Sequence, residues 1–172
     1  MKYQRLSVIL LALAVAMAAA ARQQDQKAQE NSSFDQLKTL AGDWTATTVE
    51  GGKEIYAPVT FRLASGGSVL MSDLAPGMPH EMITMFHRDG GDLLATHYCL
   101  TGNQPRMRAV ASADPNVIAF ELKDITNLPA PDAPHMVGVK FTLLDANHHT
   151  EDWTIMVNRQ TTVRKFDCRR KS

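Results

Sequence analysis

The chain has 172 residues, 18 Lys and Arg against 18 Asp and Glu, and two cysteines. That balance, with no basic block or stripe, excludes a nucleic-acid or polyanion partner recognised through charge. The length suits one domain with its own core, and no Cys-x-x-Cys or Cys and His spacing of a structural zinc site is present.

Lys2 and Arg5 form a basic start, Leu6 to Met17 an apolar run too short for a membrane span, and Ala18 to Ala21 a small-residue cleavage site, so residues 1–21 read as a signal peptide. No Cys follows the run where a bacterial lipoprotein requires one. The expected mature chain is therefore secreted or periplasmic, with no membrane span left after cleavage. Residues 22–32, rich in Gln and poor in apolar side chains, read as a disordered leader. Loss of Lys2 and Arg5 leaves 16 basic against 18 acidic residues, close to neutral.

The domain is expected over residues 33–172. Ser33-Phe34-Asp35-Gln36 fits a capping box, and Phe34, Leu37, Leu40 and Ala41 fall on one face of two helical turns. This short helix is expected to cap one end of a strand-rich body. From Gly42 onward the apolar period is two: Trp44 to Thr48, Val59 to Leu63, Ser68 to Asp73, His80 to Arg88, Asp92 to Leu100, Pro105 to Ala111, Val117 to Lys123, Met136 to Leu144, His149 to Val157 and Thr161 to Cys168. Asp89-Gly90-Gly91, Asp114-Pro115-Asn116 and Asn158-Arg159-Gln160 supply turns between them. Short, evenly spaced strands without helical crossovers predict an all-β, antiparallel up-and-down barrel of eight to ten strands; a two-sheet sandwich is the alternative. The one long connection, Asp124 to His135 with three prolines, reads as a lid over the barrel mouth or as a stiff surface loop.

Gly42-Asp43-Trp44 at the entrance to the first strand resembles the Gly-x-Trp signature of calycins, the lipocalin-like and fatty-acid-binding-like barrels. Gly42 would permit the tight turn from helix to strand and Trp44 would plug the barrel bottom. The resemblance implies a basic residue of the last strand packed on that Trp, for which Arg164 stands in the right region, and both would then be structural. It also implies a tie from a mid-barrel strand to the C-terminal segment, which Cys99 and Cys168 match in outline. Export makes such a disulfide reasonable; the competing reading is a buried Cys99 and an exposed Cys168. The stretch His97 to Met107 is similar to a block in exported bacterial proteins of lipocalin-like type that carry no established activity.

The densest polar chemistry lies between His80 and Arg108. If Asp89-Gly90-Gly91 pairs Ile83 with His97, then Met82, Thr84, Phe86 and Tyr98 share one face, and His87 shares the other with His97. The apolar set is expected inside. Met71, Met82, Phe86, Tyr98, Met107, Phe120, Phe141 and Met156 then line a cavity, with Arg106 or Arg108 meeting a carboxylate or similar head group. Of the adjacent pair His148 and His149, at most one can join any site, because neighbours on a strand point to opposite faces.

These residues predict a carrier or sensor of a small apolar or amphiphilic ligand, bound by Met82, Phe86, His87, His97, Tyr98, Arg106 and Arg108. Two alternatives use the same region. One is a metal- or haem-binding barrel using His87 and His97; the other is an isomerase- or cyclase-type enzyme with a His general base and Arg106 as clamp. No nucleophile elbow, phosphate loop or dinucleotide fingerprint is present, and the residues name no cofactor.

Overall fold

The computed structural model describes residues 15–25 and 32–172. Residues 15–25 form a helix with exposed side chains, so the expected leader is helical at 22–25; residues 1–14 of the expected signal peptide and 26–31 of the leader lie outside the described residues. Among the described residues no helix is long and apolar enough to cross a membrane.

Ten strands run in chain order: β1 (Gly42–Glu50), β2 (Lys53–Ala64), β3 (Val69–Leu74), β4 (Met82–Asp89), β5 (Asp92–Tyr98), β6 (Gln104–Val110), β7 (Val117–Thr126), β8 (His135–Asp145), β9 (His148–Val157) and β10 (Gln160–Arg170). Each pairs antiparallel with the next, and β10 returns to β1, which closes an up-and-down barrel. Closure leaves no sheet edge, and alternation sends every second side chain inward.

A helix over residues 32–38 covers one end. Its apolar face buries Phe34, Leu37 and Leu40, with Leu37 fully enclosed. Gln36 Nε2 donates to the Pro115 carbonyl in the β6–β7 turn, and Arg88 at the end of β4 reaches Asp35. These contacts join the helix to turns at one end only, which we call the base; the opposite end is the mouth.

Inward residues near the base are large. Trp44, Phe61, Leu70, Phe86, Leu93, Met107, Phe120 and Phe141 are almost completely buried, and Phe86 packs 5.6 Å from both Phe120 and Phe141 between ring centroids. The inward positions nearer the mouth include Thr48, Ala57, Ser72 and Thr84, which are too small to fill the same cross-section. The lower barrel is consequently solid and the upper barrel hollow.

The basic residue over Trp44 is Arg170, not Arg164. Trp44 pairs with Arg170 across the β1 and β10 ladder, and the guanidinium lies 4.2 Å from the indole ring. Arg164 sits toward the mouth, where its Nη2 donates to Glu50 Oε1 at 2.9 Å. The reason is direction: β1 starts at the base, so its antiparallel neighbour brings the last residues of β10, not its middle, to Trp44. Gly42 adopts φ +132°, and a Cβ there would meet Arg170 Nη1 at 2.7 Å.

The β4 and β5 hairpin differs by one residue from the expected register. Asp89 pairs with Asp92 across a two-residue Gly90-Gly91 turn, so Thr84 faces His97 and Ile83 faces Tyr98. Counting Asp89 into the turn makes it three residues long, one too many. A single step reverses parity: His97 points inward and is 3% exposed, whereas Tyr98 points outward and is 48% exposed.

Candidate functional site

The hollow upper barrel encloses a cavity of about 410 Å³. Its wall is mostly apolar, formed by Ile55, Ala57 and Val59 of β2, Leu74 of β3, Met82 of β4, Met136 of β8 and Ile155 of β9, with Leu100 at the rim. Polar groups are few: Thr48, Ser72, Thr84, His97 and Glu151 in the interior, and Glu50, His80 and Arg164 toward the mouth. A concave apolar chamber with a small number of placed polar atoms is the usual form of a small-molecule site.

His97 is the principal polar feature. Its Nδ1 lies 2.9 Å from the Thr84 hydroxyl on the neighbouring strand, while Nε2 is buried with no hydrogen-bond partner. The ring also packs 5.0 Å from Trp153, which lines the same cavity. Desolvation pushes its pKa down to about 4, so the imidazole is neutral near pH 7. It therefore offers either an N–H or a nitrogen lone pair according to tautomer, and carries no charge.

Beside it, β9 sends His149, Glu151 and Trp153 inward in succession, and β10 places Cys168 opposite His149. Glu151 Oε2 accepts from Trp153 Nε1 at 2.8 Å; Oε1 lies 3.0 Å from His149 Nε2 and 3.9 Å from Cys168 Sγ. His149 is held by rings, 4.4 Å from Trp44 and 5.7 Å from Phe61, and its Nδ1 has no partner. Burial, reinforced by the Glu151 carboxylate, raises the Cys168 thiol pKa far above its ordinary value. His148 takes the opposite face, as strand alternation requires, and bonds Asp167 at 2.7 Å. The period-two signal His149-x-Glu151-x-Trp153 is readable in the sequence; the opposing Cys168 emerges only from the β9 and β10 register.

The sequence-derived site residues divide by face. Met82 and His97 line the cavity. Phe86 is buried in the solid lower core, together with Met107, Phe120 and Phe141. Tyr98 lies outside, as do Met71 and Met156 by strand parity. His87 is also outside, with Nδ1 3.2 Å from the Arg88 carbonyl, so His87 and His97 occupy opposite faces and cannot share a metal or haem. Arg106 forms a two-pronged ion pair with Asp124 on the outer surface, and Arg108 faces Asp92 at 4.0 Å. Neither arginine reaches the cavity. An Arg106 clamp acting with His97, which the enzyme alternative requires, is not formed.

Both cysteines are free thiols. Cys99 lies in the turn after β5 at the mouth, where its sulfur receives the Thr101 hydroxyl, whereas Cys168 faces the interior against Glu151. The bridge expected from the family resemblance is not made, because β5 and β10 are not neighbours and the two sulfurs face different surroundings. The proline-rich connection between β7 and β8 contributes no residue to the cavity wall. It folds against the β5–β6 turn instead, where Asn103 Nδ2 donates to the Pro134 carbonyl at 2.8 Å and Asn127 Nδ2 to the Gly102 carbonyl.

Fold and site together define a one-ended, ten-stranded barrel with an internal, mostly apolar cavity. Rv2717c from M. tuberculosis has a similar fold, with a TM-score of 0.53, 17% identity, and coverage of 81% of this chain and 97% of that one. A protein of unknown function from the DUF3598 family of Nostoc punctiforme is similar at a TM-score of 0.52 and 12% identity, covering 78% of this chain and 48% of that one. At these identities the likeness concerns fold alone. No family model and no curated protein sequence matches the chain.

Proposed function

We propose that this protein is an exported, calycin-type barrel that carries or senses a small, mainly apolar molecule bearing one polar group. The observation that carries the reading is the 410 Å³ apolar cavity whose wall includes a buried, neutral His97 with one unpartnered ring nitrogen. An unsatisfied buried polar atom costs about 1–3 kcal/mol, and a ligand atom placed against Nε2 would recover part of that cost. The apolar wall supplies affinity through burial, at about 25 cal/mol per Å² removed from water. The Gly42 and Trp44 pair at the closed base supports the calycin assignment, and the basic start, apolar run and alanine cleavage site of residues 1–21 support export to the periplasm or medium.

The test is native mass spectrometry of protein recovered from its exported compartment, followed by titration with a fluorescent apolar probe such as anilinonaphthalene sulfonate. One bound equivalent that quenches Trp153 supports the carrier. Absence of a copurified mass together with no saturable probe binding sinks it.

A further inference from the structure

The cavity floor carries a second constellation that apolar ligand binding does not use. His149 Nε2, a Glu151 carboxylate oxygen and Cys168 Sγ lie within 4.8 Å of one another, and all three residues are buried. We propose that they form a binding site for one zinc-class divalent transition metal ion, with its remaining coordination position toward the barrel cavity. Nitrogen, oxygen and sulfur donors in one closed cluster match the borderline-soft preference of such ions.

The geometry is close to what coordination needs. Tetrahedral bonds of about 2.0–2.3 Å put neighbouring donor atoms about 3.4–3.6 Å apart. Here His149 Nε2 and Cys168 Sγ converge on the same oxygen, Glu151 Oε1, at 3.0 and 3.9 Å. Bringing all three donors, now within 4.8 Å of one another, to that spacing takes a side-chain shift of about 1 Å. Trp153 holds the other carboxylate oxygen at 2.8 Å, which aims Oε1 at the cluster, and the rings of Trp44 and Phe61 hold the imidazole plane. These neighbours orient the donors before an ion arrives.

Charge points the same way. Glu151 is 6% exposed, and its hydrogen-bond partners are an imidazole, an indole and a thiol, with no Lys or Arg among them. Buried carboxylates are normally paired with a cation or coordinate a metal. A divalent ion here would be bound as the thiol proton departs to solvent and the neutral imidazole carries its one proton on Nδ1 instead of Nε2, leaving thiolate, carboxylate and neutral imidazole around it. Because Glu151 also lines the cavity, an ion can enter through the mouth, and three protein donors leave it able to take a fourth from a cavity occupant.

The experiment uses untagged, chelator-treated, reduced protein titrated with Zn²⁺ against a chromophoric competitor, and with Co²⁺ by absorption. One equivalent should bind, and the cobalt form should show a thiolate-to-metal charge-transfer band. Cys168→Ser should abolish that band, and His149→Gln should weaken zinc by on the order of 100-fold or more. Zn²⁺ should raise the melting temperature of the wild type but not of Cys168→Ser. If His149→Gln does not fold, Glu151→Gln replaces it, and the cobalt band with Cys168→Ser still decides the result. No stoichiometric binding, or binding that survives Cys168→Ser unchanged as at a surface site around His148 and Asp167, overturns the proposal.

Discussion

Arg170 lies over the indole of Trp44 and uses its guanidinium to bond three backbone carbonyls, those of Thr39, Ala41 and Ala146. One side chain thus joins the end of the capping helix, the entrance to β1 and the β8–β9 turn. Replacing it with Ala removes the cation–π contact and leaves carbonyls of the base without their charged donor. The expected loss is about 2 kcal/mol, read as a lower urea midpoint at unchanged slope. An unchanged midpoint would mean that Arg170 is not a structural tie.

Gly42 should be almost as sensitive, for a separate reason. Its φ of +132° is open to glycine and strained for other residues, and an added Cβ would press on Arg170 Nη1. Gly42→Ala is expected to cost about 1–3 kcal/mol. In the Arg170→Ala background the steric part of that cost should shrink, so a double-mutant cycle measures how much of it is the clash.

His97 gives the fold a defined response to acid. Its pKa is about 4 when folded and 6.5 when exposed. Stability from the neutral form is therefore complete above pH 6.5, falls as pH drops toward 4, and is fully lost below that. About 3 kcal/mol is at stake over this window. Denaturation midpoints measured from pH 7.5 to 4 should show the decline, and His97→Gln should remove most of it; the same slope in the variant would assign the effect to other groups.

Filling the cavity should separate binding from stability. Ala57→Phe places a ring in the apolar chamber, which has room for it. Probe affinity should fall at least about tenfold while stability stays within about 1.5 kcal/mol. Arg106→Ala, on the outer surface, should leave affinity unchanged. A weakened probe in Arg106→Ala with normal binding in Ala57→Phe would place the site outside the barrel.

Thiol chemistry checks the cysteines directly. Cys99 is partly exposed and Cys168 buried, so a maleimide should label one thiol in native protein and two after unfolding without reductant. No reactive thiol after such unfolding would demonstrate a bridge between them.

The strands are legible in the sequence because period-two patterning is local: all ten candidate segments correspond to strands, and closure follows from their number and short turns. The site is less legible, since it depends on register. Reading the Gly90-Gly91 hairpin one residue too long exchanges His97 with Tyr98 and so reverses the faces of β5, whereas Met82, Thr84 and Phe86 of β4 point inward in either register. Arg164 and Arg170 satisfy the same last-strand logic and differ only in height along the barrel, which local pattern does not encode. Cys168 and His149 lie far apart in sequence but opposite each other on β9 and β10, a pairing that no local pattern announces.

The solid base would also govern exchange of any molecule that the chamber holds. With Trp44 and the helix over residues 32–38 closing one end, the chamber has no through-passage, and arrival and departure share a single route. A second occupant cannot push the first out ahead of it. Replacement must wait for vacancy, so turnover of cargo would be limited by spontaneous release and insensitive to the concentration of the incoming molecule once it is in excess.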